Sequence, residues 1–481
     1  MKPGCLFLLG VALPLAAQTL QECRTHQHYG RRQEAAQCFT KLAGSTNPSL
    51  KAEGFWGVHQ YENANKAFRL AVDSSPKNPD YRVRWGRLFL ERFNKEDAEK
   101  LFREALAIDE NNPGAVLGLA MVASNGFESK AVELAQKAIE LDPKLVEAQE
   151  LLAQLALEDN NQEKAASEAD KALQLQPESL DAMAIHASID WLDDRKDSPW
   201  MAKILKINPV YGEGYATAAH FFVLNRRYEE GIQLYRKAIA LDPDLNHART
   251  DLGVNLMRLG EEKEAREQLV KSYESGYRDA LTVNSLTLLD SYKNFLTFKT
   301  DNTIIKLHKK EAELLRPYIE SELKRAIATY EKKYKMKLEK PVQVEVYPDH
   351  EDFAVRTLGM PGLGALGVTF GYVVAMDSPS GRRPGTFHWD STLWHELSHV
   401  FVLTATKHKV PRWFTEGMAV HEETAASPDW GDRLDPQAIN AIDKKKLLPI
   451  AQLDRGFIRP SYPSQVIVSY FQAGKICDYI A

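Results

Sequence analysis

The 481-residue sequence predicts a chain of two parts: an all-α solenoid of helical hairpins over residues 18–294, then an α+β domain over residues 295–481. Three observations predict this architecture. Prolines recur at a nearly constant interval through the first part, the recurrence stops near Phe295, and runs rich in β-branched residues appear only after that point.

The recurring prolines are separated by 31, 34, 30, 34, 32 and 34 residues. Each follows Asn, Asp or Gln, and most stand at the end of an apolar-periodic segment. Because proline lacks a backbone N–H, it ends one helix and leads into the next unit. The prolines are Pro48, Pro79, Pro113, Pro143, Pro177, Pro209 and Pro243.

Within the units, small and bulky residues recur with a spacing of four and then three, which places them on one face of a helix. Ala98, Phe102 and Ala105 form one such set, and Ala131, Ala135 and Ala138 form the next. Small side chains let a second helix approach closely, so each unit is predicted to be a helical hairpin that stacks on its neighbours.

This pattern resembles the tetratricopeptide repeat over roughly residues 19–290, with about seven to eight units. The unit around residues 191–208 departs from it, because Asp197-Ser198-Pro199 stands where its second helix should begin. The resemblance implies a surface that binds a peptide substrate or a protein partner. A passive spacer is the alternative interpretation.

Charge and the N-terminal segment bear on partners and location. A formal net charge of −5 argues against a nucleic-acid partner. Met1 and Lys2 precede an apolar run that ends at Leu15-Ala16-Ala17, which predicts a signal peptide over residues 1–17 and an exported protein, periplasmic or extracellular. No segment of the mature chain is predicted to span a membrane.

The mature chain retains Cys23, Cys38 and Cys477. Cys23 and Cys38 fall on the two helices of one predicted hairpin. Two interpretations are open: a disulfide formed in an oxidising compartment, or two small apolar residues in a helical seam.

The second part alternates strand and helix. Strands are predicted at Thr303–Leu307 and Val342–Tyr347, with a long charged helix over Lys309–Tyr334 between them. Asp349 is predicted to cap a further helix, and a glycine-rich run leads into a strand at Tyr372–Met376. The order of elements predicts an α+β fold with a small sheet.

A metal-binding pattern follows this last strand. His395 and His399 stand four residues apart on a predicted helix, so both reach one ion, and Glu396 lies beside them. Seventeen residues after His399, Glu416 stands near the start of another helix and supplies a third ligand, the number that a catalytic zinc requires. Zinc lowers the pKa of a bound water to about 7, and Glu396 is placed to take its proton.

His-Glu-x-x-His followed by Trp413-Phe-Thr-Glu416-Gly-Met-Ala resembles the gluzincin metallopeptidases, specifically the peptidase MA-like domains that bacteria join to tetratricopeptide repeats. The resemblance covers roughly residues 296–481. It implies that His395, His399 and Glu416 bind zinc and that Glu396 is the catalytic base and proton shuttle.

The same resemblance implies two further roles. Tyr470, followed nine residues later by Tyr479, corresponds to the tyrosine that donates to the oxyanion, although an aromatic residue packed in the core is the alternative interpretation. Gly362–Gly371 corresponds to an edge strand that holds an extended substrate, although glycine-rich turns are commonly only turns.

These patterns predict an exported zinc peptidase whose repeats bind substrate or partner proteins. The alternatives are a repeat scaffold whose peptidase-like domain does not turn over substrate, and a zinc hydrolase of a non-peptide amide. A helical pattern runs up to Ala481, which predicts that further helical residues follow this sequence.

Overall fold

The computed structural model describes residues 15–92, 94–360, 364–383, 385, 388–430 and 435–481. The described chain forms two compact units. One comprises the residues up to Val122 together with Glu133–Ala148 and Ala202–Tyr211, and the other comprises Ala123–Val132, Gln149–Met201 and Gly212–Ala481. Most of the predicted signal peptide lies outside the described residues.

Seventeen helices run through the described part of the repeat region. They are α1 Leu15–His28, α2 Arg32–Ala43, α3 Pro48–Gly57, α4 Tyr61–Ser74, α5 Pro79–Arg92, α6 Lys95–Ile108, α7 Pro113–Asn125, α8 Lys130–Leu141, α9 Val146–Glu158, α10 Gln162–Leu175, α11 Leu180–Leu192, α12 Pro199–Ile207, α13 Glu213–Leu224, α14 Tyr228–Leu241, α15 Asn246–Arg258, α16 Glu262–Glu274 and α17 Ala280–Ser291.

The prolines stand at the junctions between repeat units, as the sequence predicts. Pro143, Pro177, Pro209 and Pro243 lie in the turns that follow α8, α10, α12 and α14. Pro48, Pro79 and Pro113 are the first residues of α3, α5 and α7. At that position the missing N–H costs nothing, because the first N–H groups of a helix have no partner within it. In the unit that departs from the pattern, Pro199 opens α12 in the same way, and the Ser198 hydroxyl donates to Asp190 over 2.7 Å.

Each alanine of the two sets singled out in the sequence is fully buried. In the first of these sets, the Phe102 ring packs between two glycines of neighbouring helices. A Cβ atom on Gly118 would lie 2.3 Å from its ring, and a Cβ atom on Gly86 would lie 2.7 Å from it. The helices therefore approach as closely as the small-residue pattern predicts. Cys23 and Cys38 are joined by a disulfide between α1 and α2, and Cys477 is a buried free thiol.

The second unit contains a five-stranded sheet in the order β1-β2-β3-β5-β4. β2 and β5 run parallel to β3, and the outer strands β1 and β4 are antiparallel to their neighbours. The predicted strands are confirmed as β2, β3 and β5, while β1 was missed because it is a mostly exposed edge strand. The bounds are β1 Phe295–Lys299, β2 Thr303–His308, β3 Val342–Tyr347, β4 Gly367–Phe370 and β5 Val373–Asp377.

Seven helices accompany the sheet in the described C-terminal region. They are α18 Ala312–Tyr334, α19 His350–Leu358, α20 Trp389–Ala405, α21 Arg412–Ala426, α22 Pro436–Asp443, α23 Arg455–Ile458 and α24 Gln465–Ile480. Helix α18 begins three residues later than predicted, because Glu311 closes a turn by donating its N–H to His308. The Asp349 side chain caps α19 as predicted.

Both faces of the sheet are covered. On one face, Val344 of β3 packs with Leu323 of α18 and Leu397 of α20. On the other, Tyr347 of β3 and Val373 of β5 belong to a core that includes residues of α15, α17 and α19. All six residues of β3 are therefore buried, including its polar members. None of the helices in the described ranges is long and apolar enough to span a membrane.

Candidate metal centre

Helix α20 carries the two predicted histidine ligands. Its apolar face, which includes Leu397 and Phe401, packs against the sheet. His395 and His399 lie one turn apart, with only 14% and 4% of their side chains exposed, and their ring centroids are 4.9 Å apart. The amphipathic packing of the helix thus presents both imidazoles on one side, as their spacing requires.

Helix α21 brings the third predicted ligand to them. Glu416 is buried in the second turn of this helix, and its Oε2 lies 3.4 Å from His395 Nε2 and 3.2 Å from His399 Nε2. One ligand atom from each of the three residues lies within 4.8 Å of the others. The structure therefore brings together all three predicted ligands.

These separations can be tested against the geometry of zinc. Bonds of about 2.0–2.2 Å to nitrogen and oxygen, arranged tetrahedrally, place two ligand atoms about 3.4 Å apart. The two N···O separations around Glu416 agree with this value. Two imidazoles and one carboxylate are also the donor set of hydrolytic zinc sites, so these residues fit the ion.

The charges of the three residues differ. Burial lowers the pKa of His399 to about 4, which keeps its imidazole neutral as a metal ligand must be. Burial also acts to lower the pKa of His395, but hydrogen bonds to two carboxylates raise it well above its ordinary value. Burial acts to raise the pKa of Glu416, but its interactions with His399, with the Arg226 guanidinium and with His395 outweigh this and lower it well below its usual range.

A second carboxylate, which the sequence interpretation missed, orients His395. Glu423 Oε1 lies 2.6 Å from His395 Nδ1, and its other oxygen accepts a hydrogen bond from Ser391 over 3.1 Å. This contact leaves Nε2 of His395 to face Glu416. Glu423 follows Glu416 by seven residues, two helical turns along α21, so the spacing contained a signal for it.

The predicted base, Glu396, is held between α20 and β4. The Thr369 hydroxyl lies 2.7 Å from its Oε2 and 2.8 Å from its backbone oxygen. A Cβ atom on Gly367 would lie 2.7 Å from Glu396 Cγ, so a glycine is needed at this crossing. Burial, together with the nearby charge of Glu416, raises the pKa of Glu396 to about 7. Near neutral pH the carboxyl therefore exchanges a proton readily.

Tyr470 lies beside these residues. It is on α24, with its ring centroid 6.1 Å from that of His395 and 5.0 Å from that of Phe457. Burial and the charges of Glu416 and Glu396 raise its pKa well above the ordinary value, so the hydroxyl remains a donor at neutral pH. Tyr479 is 92% exposed near the end of the helix and does not join the cluster.

A residue from the repeat region also contacts the ligand set. Arg226 donates to Glu416 Oε1 over 2.5 Å and to the Thr415 hydroxyl over 2.9 Å. It lies 190 positions before Glu416, and no pattern around it indicates the contact. Sequence reasoning missed Arg226 for this reason.

Comparisons with known proteins bear on the repeats. The tetratricopeptide repeat family matches residues 50–113, 123–179 and 212–245. Among solved structures, the chain is similar to a tetratricopeptide repeat protein from Parabacteroides merdae ATCC 43184, at 16% sequence identity and a TM-score of 0.35, over 52% of this chain and 98% of that one. No match was found among curated proteins.

The family matches show that the chain carries tetratricopeptide repeats, a type of repeat that commonly forms protein-binding scaffolds. The repeat prediction is thereby confirmed over the matched residues. The metallopeptidase resemblance of residues 296–481 remains a prediction.

Proposed function

We propose that this protein is an exported zinc-dependent peptidase in which tetratricopeptide repeats bind substrate or partner proteins. One observation carries the proposal. His395, His399 and Glu416 direct three donor atoms to one point, beside a buried carboxyl group whose pKa lies near neutrality. Such a combination is typical of hydrolytic metal sites.

A zinc ion held by His395, His399 and Glu416 would polarise the scissile carbonyl and lower the pKa of a water molecule. Glu396 takes a proton from the attacking water and passes it to the leaving amine. Its pKa of about 7 suits both transfers, and Thr369 keeps its carboxylate oriented through the hydrogen bond to Oε2. Tyr470, protonated and close to His395, donates to the developing oxyanion.

The sheet edge next to Glu396 favours a peptide as the substrate. β4 pairs with β5 on one side only, and in the described chain no strand covers its other side. An extended peptide adds to such an edge through main-chain hydrogen bonds. Because Gly367 and Thr369 of this strand contact Glu396, a peptide bound along β4 lies close to the base. In this proposal, β4 takes the role predicted for Gly362–Gly371, an edge strand that holds an extended substrate. Residues 361–363 lie outside the described residues.

Export is supported by the apolar N-terminal segment and by the disulfide. The Cys23–Cys38 bridge between α1 and α2 is typical of a protein that folds in an oxidising compartment. The repeats supply a surface for partner proteins.

Zinc content and hydrolysis test the proposal on the purified full chain. We expect about one zinc per chain by elemental analysis, its loss in His399→Ala, and cleavage within a panel of unstructured peptides. Glu396→Gln should retain zinc and lose cleavage. Unchanged biological function in Glu396→Gln would instead favour the scaffold, and cleavage of cell-wall fragments but not peptides would favour a hydrolase of non-peptide amides.

A further inference from the structure

Four successive repeats use the same position to contact the C-terminal region. In each, the turn between the two helices contains a residue with positive φ: Asn160, Asp194, Arg226 and Gly260. These residues follow one another by 34, 32 and 34 positions, which is the repeat period. The turns therefore form a series in which one backbone position recurs at each level.

The contacts made from these turns differ in chemistry. The Asn160 amide donates to Asp454 over 3.3 Å, and Asp194 pairs with Lys409. Gly260 approaches the Gln343 side chain so closely that a Cβ atom would lie 3.2 Å from its Nε2. Arg226 makes the contact with Thr415 and Glu416. Three of the four turns contact residues outside the candidate metal centre, but the turn of Arg226 contacts one of its proposed ligands.

We propose that Arg226 is a positioning residue that holds the metal ligand Glu416 in place, so that a repeat supplies part of the metal centre. This inference rests on the proposed zinc site. The two oxygens of Glu416 have different partners: Oε2 faces the histidine Nε2 atoms, while Oε1 accepts from Arg226. With Oε1 held, the carboxylate cannot rotate away without breaking a buried ion pair.

The turn itself is rigid enough to aim the guanidinium. The backbone N–H of Arg226 donates to Val223 O over 2.9 Å. The guanidinium of the following residue, Arg227, donates to Leu192 O over 3.0 Å and to Asp194 over 2.8 Å. Tyr228 packs edge-on against Phe370 of β4 at a centroid distance of 5.8 Å. Arginine suits the task because its planar group makes two directed hydrogen bonds, here to adjacent residues of α21.

The test is zinc affinity of the full chain, measured by competition with a chromophoric chelator. We expect Arg226→Gln to weaken zinc binding about 10–100-fold, the usual effect of removing a group that orients a metal ligand. Arg226→Lys, which keeps the charge but loses the two-pronged geometry, should lie between wild type and Arg226→Gln. The absorption spectrum of the cobalt-substituted protein should change in both variants, because the ligand carboxylate is no longer fixed.

Lys409→Ala is the matched control. It removes another contact between a repeat turn and the C-terminal region, but its side chain is 47% exposed and touches no metal ligand. Its zinc affinity should equal that of wild type. Thermal unfolding of the metal-free variants distinguishes the proposed positioning role from a purely structural one. A purely structural role would lower stability without changing the zinc affinity of the folded protein.

The inference would be overturned if the Arg226→Lys and Arg226→Gln variants bound zinc as tightly as the wild type and had the same cobalt spectrum. The proposed peptidase would remain intact in that case. Absence of zinc binding by the folded wild type would overturn both. If Arg226→Gln does not fold, the conservative Arg226→Lys variant decides the question by the same two measurements.

Discussion

The repeat helices and the C-terminal sheet bury different kinds of side chain. Alanine is the commonest buried residue of the repeat helices, and larger apolar side chains such as Phe102 and Leu252 lie between the alanines. Both regions bury charge, but the pairs differ in depth: in the repeats the buried Glu53 pairs with Arg84, whose side chain is 33% exposed, whereas Glu345 of β3 and Arg356 of α19 pair over 2.7 Å with 2% and 0% of their side chains exposed. Close packing of the repeat helices relies on small residues, whereas the sheet region also holds a fully buried ion pair in a fixed position.

The largest effect that separates the two regions is expected from Glu396→Gln. This change removes the proposed base while keeping the size of the side chain, so hydrolysis should fall about 10²–10⁴-fold. Zinc content and the binding of partners to the repeats should not change. Cleavage at the wild-type rate by a zinc-loaded variant would contradict the assignment of the base.

The buried ion pair gives the next largest effect. Glu345→Gln leaves Arg356 buried without its charged partner, and we expect a loss of about 3–5 kcal/mol in the free energy of unfolding. Burial acts to raise the pKa of Glu345, but Arg356 and Lys306 outweigh this and lower it to about 2. Its stabilising contribution is therefore present above its ordinary pKa of 4.5 and is lost as the pH falls through about 2.

An ion pair of the repeat region serves as the control for Glu345→Gln. Arg236 and Glu264 pair over 2.8 Å with 38% of each side chain exposed. Because solvent screens this pair, Glu264→Gln should cost no more than about 1 kcal/mol by denaturant titration. Equal losses in the two variants would show that burial does not set the contribution of these ion pairs.

Packing in the repeats is tested by Gly118→Ala. The added methyl group would overlap the Phe102 ring, so we expect a loss of about 1–3 kcal/mol, in spite of the higher helix propensity of alanine. Gly126→Ala is the control, because the nearest atom there, 3.2 Å away, is the mobile end of the Glu128 side chain. A stability change in Gly118→Ala no larger than in Gly126→Ala would show that the packing around the Phe102 ring tolerates additional volume.

The two regions also differ in how much of their structure was predictable from the sequence. The repeats were predictable because their proline and alanine patterns are local and recur, and the inner strands because their β-branched residues alternate in β3 and cluster in β2 and β5. His395 and His399 were predictable as neighbours because residues four apart lie on one face of a helix, whereas Glu416 lies on another helix and its prediction rested on the metallopeptidase resemblance. The contacts of Arg226 with Glu416 and of Thr369 with Glu396 were not, since each joins residues distant in sequence.

The smallest effect is a pH dependence of zinc binding. Zinc requires a neutral His395, whose pKa is raised by its two carboxylate partners, so a proton competes with the metal. His399, with a pKa of about 4, is already neutral above pH 6. Zinc affinity should therefore rise by up to about tenfold per pH unit above pH 6.5 until the pKa of His395 is passed.

Stability of the metal-free protein should change in the opposite direction over the same range. A raised histidine pKa contributes stability that is complete below the unfolded value of 6.5 and is lost as the pH rises through the folded value. Calorimetric titrations with zinc in two buffers of different ionisation enthalpy measure the proton released on binding. A zinc affinity that stays flat from pH 6.5 to 8, with no proton release, would mean that His395 is neutral before the metal arrives and that Glu423 orients its ring without charging it.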